Sequence, residues 1–280
     1  MHARNHRFIT LALLAPALVM LAVFLIWPVG ELMSKSFLDP KGPMAFYGRL
    51  VQVPAYVMIL LRTVLVSALT AFICLLVGYP VAYRLTKAGP IAKAFILICV
   101  LLPFWTNLLV RSYGWIEILN PRGILNSALM AAGLIKTPLE LVYNSTGVLI
   151  GLSQIMLPYM ILPLYAVMMR MDGRLTQASR SLGAGPVQTF IKVYFPLTFP
   201  GVMAGVLLIF TMSLGFFIIP ALLGGDKGLM IAQLIDFNIN GTLNWGMASA
   251  LSTVLLATTL LLYWIGDRWF NLGAIWGVEK

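Results

Sequence analysis

The chain has 280 residues, 60% of them hydrophobic and only 10% charged, with a mean hydropathy of +0.94. Soluble domains carry about 25% charged residues, so this chain has too few polar groups to cover a surface in water and fits a protein whose solvent is largely lipid. Its net charge of +10 comes from Lys and Arg scattered between apolar runs, which argues against a nucleic-acid partner and points to membrane orientation.

A helix crossing the hydrocarbon core needs about 20 apolar residues, and six segments meet that need. The first is 8–29. Its basic start, "MHARNHR", has the look of a signal peptide, but the apolar run exceeds the usual core and no small-x-small site closes it. A retained helix is expected. The following loop contains "MAFYGRLVQVPAYVMILL", which predicts a short helix lying along the membrane surface. Spans two and three are 63–83 and 94–112. The next loop, with "GWIEILNPRGILNSALMAAGLI", predicts further surface helices. Span four is 143–169, span five 201–222 and span six 245–265. The expectation is an all-α membrane protein, six transmembrane helices in one domain over 1–280. Cys74 and Cys99 fall inside apolar runs, without the Cys-x-x-Cys spacing of a metal or redox pair, and are expected to pack.

Orientation follows from the basic residues. With the N-terminus inside the cell, eleven of the nineteen Lys and Arg fall in the shorter inner segments, and six of the nine acids fall outside. This places the N-terminus and the segment 170–200 in the cytoplasm.

That segment is the one long polar interruption between spans. Asp172 is suited to cap a short helix carrying Leu175, Ala178, Ser179 and Leu182. Gly183 supplies the left-handed residue that ends it, and Pro186 suits the first turn of a second helix, "PVQTFIKVYF". Pro196 and Pro200 are expected to break that second helix before the membrane. The shape is helix, glycine turn, helix, with small residues at the bend.

The segment resembles the EAA motif of ABC importer permeases, Glu-Ala-Ala, three residues, Gly, nine residues, Ile, any residue, Leu-Pro. Gln177, Ala178 and Ser179 stand at its first three positions and Gly183 at its glycine, and Val193, Phe195 and Pro196 keep the spacing. Gln177 replaces the usual Glu, Ser179 the second Ala, Val193 the Ile and Phe195 the Leu. "LLPFWTNLLVRSYGWIEILNPRGILN", "LGFFIIPALLGG" and "LNWGMASALS" are similar to spermidine/putrescine-type permeases, so the resemblance covers nearly the whole chain. It implies the type I importer permease (MetI-like) arrangement, with a coupling loop between helices 4 and 5. It also implies that Gln177, Ala178, Ser179, Arg180, Gly183 and Ala184 dock on an ATPase subunit. The partners it implies are a second homologous permease subunit, two ATPase subunits that bind ATP and Mg, and an extracytoplasmic solute-binding protein, all at a bacterial inner membrane. The solute is expected to be a polyamine; an opine, an amino-acid derivative or ferric ion is the alternative within the same subgroup.

No catalytic or metal grouping competes. "GGDKG" at 224–228 lacks the Gly-x4-Gly-Lys-Ser/Thr spacing of a phosphate loop, so hydrolysis belongs to a separate subunit and no cofactor is expected here. His2 and His6 sit in a charged terminus and are not expected to bind metal. Asn144 begins an Asn-Ser-Thr sequon that carries no signal, and Gly201 and Gly205 have a helix-packing spacing. The cores of the spans hold no Asp, Glu, Lys or Arg, which argues against an ion-coupled carrier. A cationic solute would then meet aromatic faces, hydroxyls and amides. Trp105, Asn107, Arg111, Tyr113, Phe216 and Phe217 are pathway candidates toward the outer half, with Glu117 and Asp236 at the outer mouth.

Overall fold

A computed structural model of the chain describes residues 14–38, 42 and 44–270, and every regular element among them is helical. The basic start with His2 and His6, and the first residues of the 8–29 span, lie outside the described residues. In chain order the helices are α1 (Leu14–Lys35), α2 (Ala45–Gln52), α3 (Pro54–Lys87), α4 (Pro90–Trp105), α5 (Leu108–Leu119), α6 (Ile124–Ala131), α7 (Ser145–Met169), α8 (Gly173–Ser181), α9 (Pro186–Leu214), α10 (Ile231–Asp236) and α11 (Trp245–Phe270). Among the described residues, α1, α3, α7, α9 and α11 are each long and apolar enough to cross a membrane. A sixth span exists if α4 and the stretch Leu108–Ala131 are taken together, although the two are bent by 103°.

The helices depart from the composition-based spans where the backbone, not hydropathy, sets the limit. The stretch 94–112 is not one helix. Thr106 is extended (φ −84°, ψ 142°), and the Asn107 side chain accepts a hydrogen bond from the Leu109 N–H at 2.8 Å, starting α5 in a new direction. α3 begins at Pro54, whose missing N–H costs nothing in a first turn, and runs 34 residues through Arg62. α9 begins at Pro186, not 201. Pro196 and Pro200 do not break it: Pro196 falls in the turn that follows a π-helical turn, Phe190–Tyr194, and the helix continues through Pro200 to Leu214. α9 then stops at Leu214. Gly215 ends it, Phe216 and Phe217 are non-helical, and a π-helical turn, Pro220–Gly224, completes the stretch expected to be the end of span five.

The chain divides into two compact units, Met1–Val57 with Leu234–Leu256, and Met58–Gln233 with Ala257–Lys280. In the larger unit α7 is the central helix. Its Leu152, Met156, Met160, Ile161 and Leu164 are fully buried together with Cys74, Ala82 and Leu85 of α3 and Ile209 of α9. α7 and α9 approach closely because glycines face side chains. A Cβ on Gly205 would stand 2.6 Å from the Met160 sulfur, and one on Gly201 3.1 Å from Val167 Cβ. The glycine spacing at 201 and 205 therefore serves packing inside the chain. The Pro220–Gly224 turn and the residue before it also lie on α7, where Ile219 Cγ2 would be 3.0 Å from a Cβ on Gly151. In the smaller unit Phe46 of α2 packs against Gly246, and the Ser36 hydroxyl pairs with the Tyr47 hydroxyl at 2.7 Å. None of the apolar window of α1 is buried.

Candidate functional site

The loop between α7 and α9 is built as its residues dictate. Asp172 Oδ1 accepts from the Arg174 N–H at 2.9 Å, satisfying one of the unpaired donors at the start of α8. Gly183 takes φ +84°, its N–H bonds to Arg180 O at 2.9 Å, and the Ala184 N–H bonds to Ser179 O at 3.2 Å. These two bonds form a Schellman motif, which needs a left-handed residue at Gly183. Gly185 then caps the helix that Pro186 begins. The Ser179 and Thr189 hydroxyls pair at 3.1 Å across the bend and hold α8 to the first turn of α9. Gln177, Ala178, Arg180 and Gly183 are exposed, while Ser179 and Ala184 are half-buried. Three apolar side chains also face outward, Leu175, Leu182 at 89% exposure and Val187 at 70%. Among the described residues nothing covers these three side chains.

A second feature lies where two helices break. A cavity of about 180 Å³ is lined by Phe104 from the end of α4, Leu108 and Arg111 from the start of α5, Ile155, Met156 and Tyr159 from α7, and Met212 and Phe216 around the end of α9. Phe104 and Tyr159 are in ring contact, with centroids 5.4 Å apart. Arg111 is the one charged side chain of this lining and Tyr159 the one hydroxyl. The Arg111 Nε is buried and has no hydrogen-bond partner.

No family model matches the chain. It is 38% identical to the spermidine/putrescine transport system permease protein PotB of Haemophilus influenzae, over 78% of this chain and 77% of that protein. It is 37% identical to PotB of Escherichia coli, over 84% of this chain and 86% of the relative. The chain belongs to the ABC importer permease family. The permease is also 34% identical to the E. coli inner membrane ABC transporter permease YdcU, over 72% of this chain and 68% of that one. Among solved structures, a bacterial ABC transporter involved in alginate import superposes with a TM-score of 0.72 at 17% identity, covering 99% of the permease and 98% of that chain. The MetNI methionine transporter gives 0.57 at 17% identity, over 80% and 96%. These two likenesses concern the fold.

Of the pathway candidates in the permease, Arg111 and Phe216 meet at the cavity, and Asn107 starts the helix that carries Arg111. The others do not join them. Trp105 is 90% exposed, and Tyr113, Glu117 and Phe217 are also exposed. Asp236 lies in the smaller unit, where it accepts from Asn240 Nδ2 at 2.7 Å. Reading the residues in order missed Phe104, Tyr159 and Met212, because nothing in an apolar run marks which ring faces a cavity. It also missed a larger recess of about 560 Å³ at the Ser145 end of α7, whose lining includes Glu140, Tyr143, Asn144, Asp226 and Lys227. There "GGDKG" acts as a tight turn. Gly225 takes φ +52°, and a Cβ on it would stand 3.0 Å from Tyr143 O. Asn144 is a helix cap rather than a free sequon, accepting from the Thr146 and Gly147 N–H groups at 2.9 and 3.0 Å. Among the described residues no group of three His, Cys, Asp or Glu is placed to hold a metal.

Proposed function

We propose that the permease forms half of the membrane pathway of an importer for a polyamine of the spermidine/putrescine kind. In this reading it lies in a bacterial inner membrane with its N-terminus in the cytoplasm. It pairs with a second homologous permease and two ATPase subunits that bind ATP and Mg, and an extracytoplasmic binding protein delivers the solute. The polyamine assignment is supported by the similarity to the PotB relatives, which are spermidine/putrescine transport system permeases. ATPase docking through Gln177–Ala184 is supported by the Schellman bend at Gly183 with Leu175, Leu182 and Val187 exposed around it. That bend is the observation that carries the reading. It offers a short rigid helix and an apolar surface close to the backbone, as insertion into another protein's groove requires.

A bulky residue at Gly183 should disrupt this surface twice over. The position needs φ +84°, and side-chain volume would intrude where the partner approaches. In the assembled complex, Gly183→Trp is expected to lose the ATPase subunit on co-purification, or to retain it with transport uncoupled from hydrolysis. Transport and ATPase recovery equal to wild type would refute the docking assignment.

A second reading is favoured by the Arg111 cavity, whose guanidinium suits a solute bearing a carboxylate, such as an opine or another amino-acid derivative. Thermal-shift screening of the cognate binding protein separates the two. Stabilisation by polyamines supports the first, and stabilisation by carboxylate-bearing solutes supports the second.

A further inference from the structure

The position of Arg111 carries more than a place on the pathway. Ile155 and Tyr159, which line the cavity beside it, lie 10 and 14 residues in from Ser145 on the 25-residue α7. At about 1.5 Å per residue that is roughly 15–21 Å along a helix of about 37 Å, so the cavity stands near its middle. Two backbone breaks meet there, at Thr106–Asn107 and at Gly215. Discontinuous helices at mid-depth are where membrane transporters place charged contacts.

Arg111 is half-buried with its Nε fully so, and a guanidinium held among apolar side chains is stabilised by an anionic oxygen. No residue of the cavity lining is acidic. Glu117 is six positions further along, roughly 120° around the helix, and is exposed. The Glu31–Lys35 pair is in the smaller unit. Among the described residues Arg111 forms no ion pair, which leaves an oxygen from outside this chain. A lipid phosphate is poorly placed, since headgroups lie about 15 Å from the centre of the hydrocarbon core. A solute is present only transiently and would leave the charge bare between cycles.

We propose that Arg111 forms a mid-depth ion pair with a carboxylate that the second permease subunit contributes to this cavity. The inference rests on the two-permease reading above. For a polycationic solute the pair has a further consequence. An incoming ammonium competes with Arg111 for the carboxylate, so solute entry loosens the contact between the two membrane subunits.

The test uses the complete transporter in proteoliposomes, with Arg111→Lys, Arg111→Met and single neutralisations of each Asp and Glu in the partner's membrane helices. Arg111→Met is expected to lower transport at least about tenfold, the effect of stranding one member of a desolvated pair, while Arg111→Lys retains most of it. One partner neutralisation should rescue Arg111→Met, and a charge swap of Arg111→Glu with that acid to Arg should also transport. Wild-type transport by Arg111→Met would overturn the proposal. So would the absence of any rescuing partner position, a defect corrected only by changing the anionic lipid content, or a change confined to the solute KM. Failure of the wild-type chain to assemble with a second permease would instead count against the two-permease reading.

Discussion

Met160 shows how single residues set the helix geometry of the permease. It lies on α7 between Gly78 of α3 and Gly205 of α9, where added Cβ atoms would stand 2.9 Å from its Cγ and 2.6 Å from its sulfur. Gly78 meets a flexible side chain, but Gly205 is also 3.4 Å from the Met160 Cα, so the backbones themselves are close. Gly205→Leu is therefore expected to overpack the α7–α9 contact and cost about 1–3 kcal/mol, read as a lower melting temperature of the purified protein in detergent. Gly114→Ala, at a position with nothing within 4 Å, should leave it unchanged or slightly raised. Equal melting of Gly205→Leu and wild type would contradict the close approach. At this scale the sequence was partly legible. The spacing of Gly201 and Gly205 marks a packing face, and Asp172 and Gly183 mark the ends of α8 through side-chain and backbone preferences that act within a few residues. Met160 as the facing residue was not legible, because apposition of distant segments is a property of the packed helices. The cap roles of Asn144 and Asn107 were not legible for a related reason, since an Asn cap inside a long apolar stretch looks like one more polar residue.

At the scale of elements, the loop between α7 and α9 and the long apolar helices form one connected structure. α8 is held to α9 by the Ser179–Thr189 pair. The first turns of α9 are held to α3 by the Tyr79–Thr198 hydroxyl pair at 2.8 Å and by edge-on ring contacts, Tyr79 with Phe190 at 5.8 Å and Tyr83 with Tyr194 at 5.2 Å. Under the docking proposal, these contacts would pass a displacement of α8 to α3 and α9. Tyr79→Phe keeps the ring contacts and removes the hydroxyl bond, which contributes about 0.5–1.5 kcal/mol. The complex should assemble and hydrolyse ATP, with solute moved per ATP lowered about two- to tenfold, an energy of that size expressed as a ratio. An unchanged ratio would show that the link carries no force. The continuity of α9 was hidden in the sequence. Pro196 and Pro200 normally end helices, yet here the helix runs on through both after a π-helical turn at Phe190–Tyr194. The bend after Trp105 was hidden for the opposite reason, since hydropathy runs on while Thr106 and Asn107 change the chain direction.

For the whole molecule, a chain with 10% charged residues pointed to a membrane protein, and its apolar runs of about 20 residues pointed to helices. The motif spacing from Gln177 to Pro196 added the family, which the 37–38% identity to PotB relatives establishes independently. The exposed bend at Gly183 and the unpartnered Arg111 Nε are the features on which the proposed partner contacts rest. The division of labour that follows is testable in one preparation. The permease is reconstituted in proteoliposomes with its partner permease, ATPase and binding protein, and uptake of labelled spermidine is followed with ATP, without ATP, and with an imposed proton or sodium gradient. Uptake is expected to require both ATP and the binding protein and to ignore the gradient. Uptake driven by an ion gradient in the absence of ATP, or by the permease alone, would contradict it.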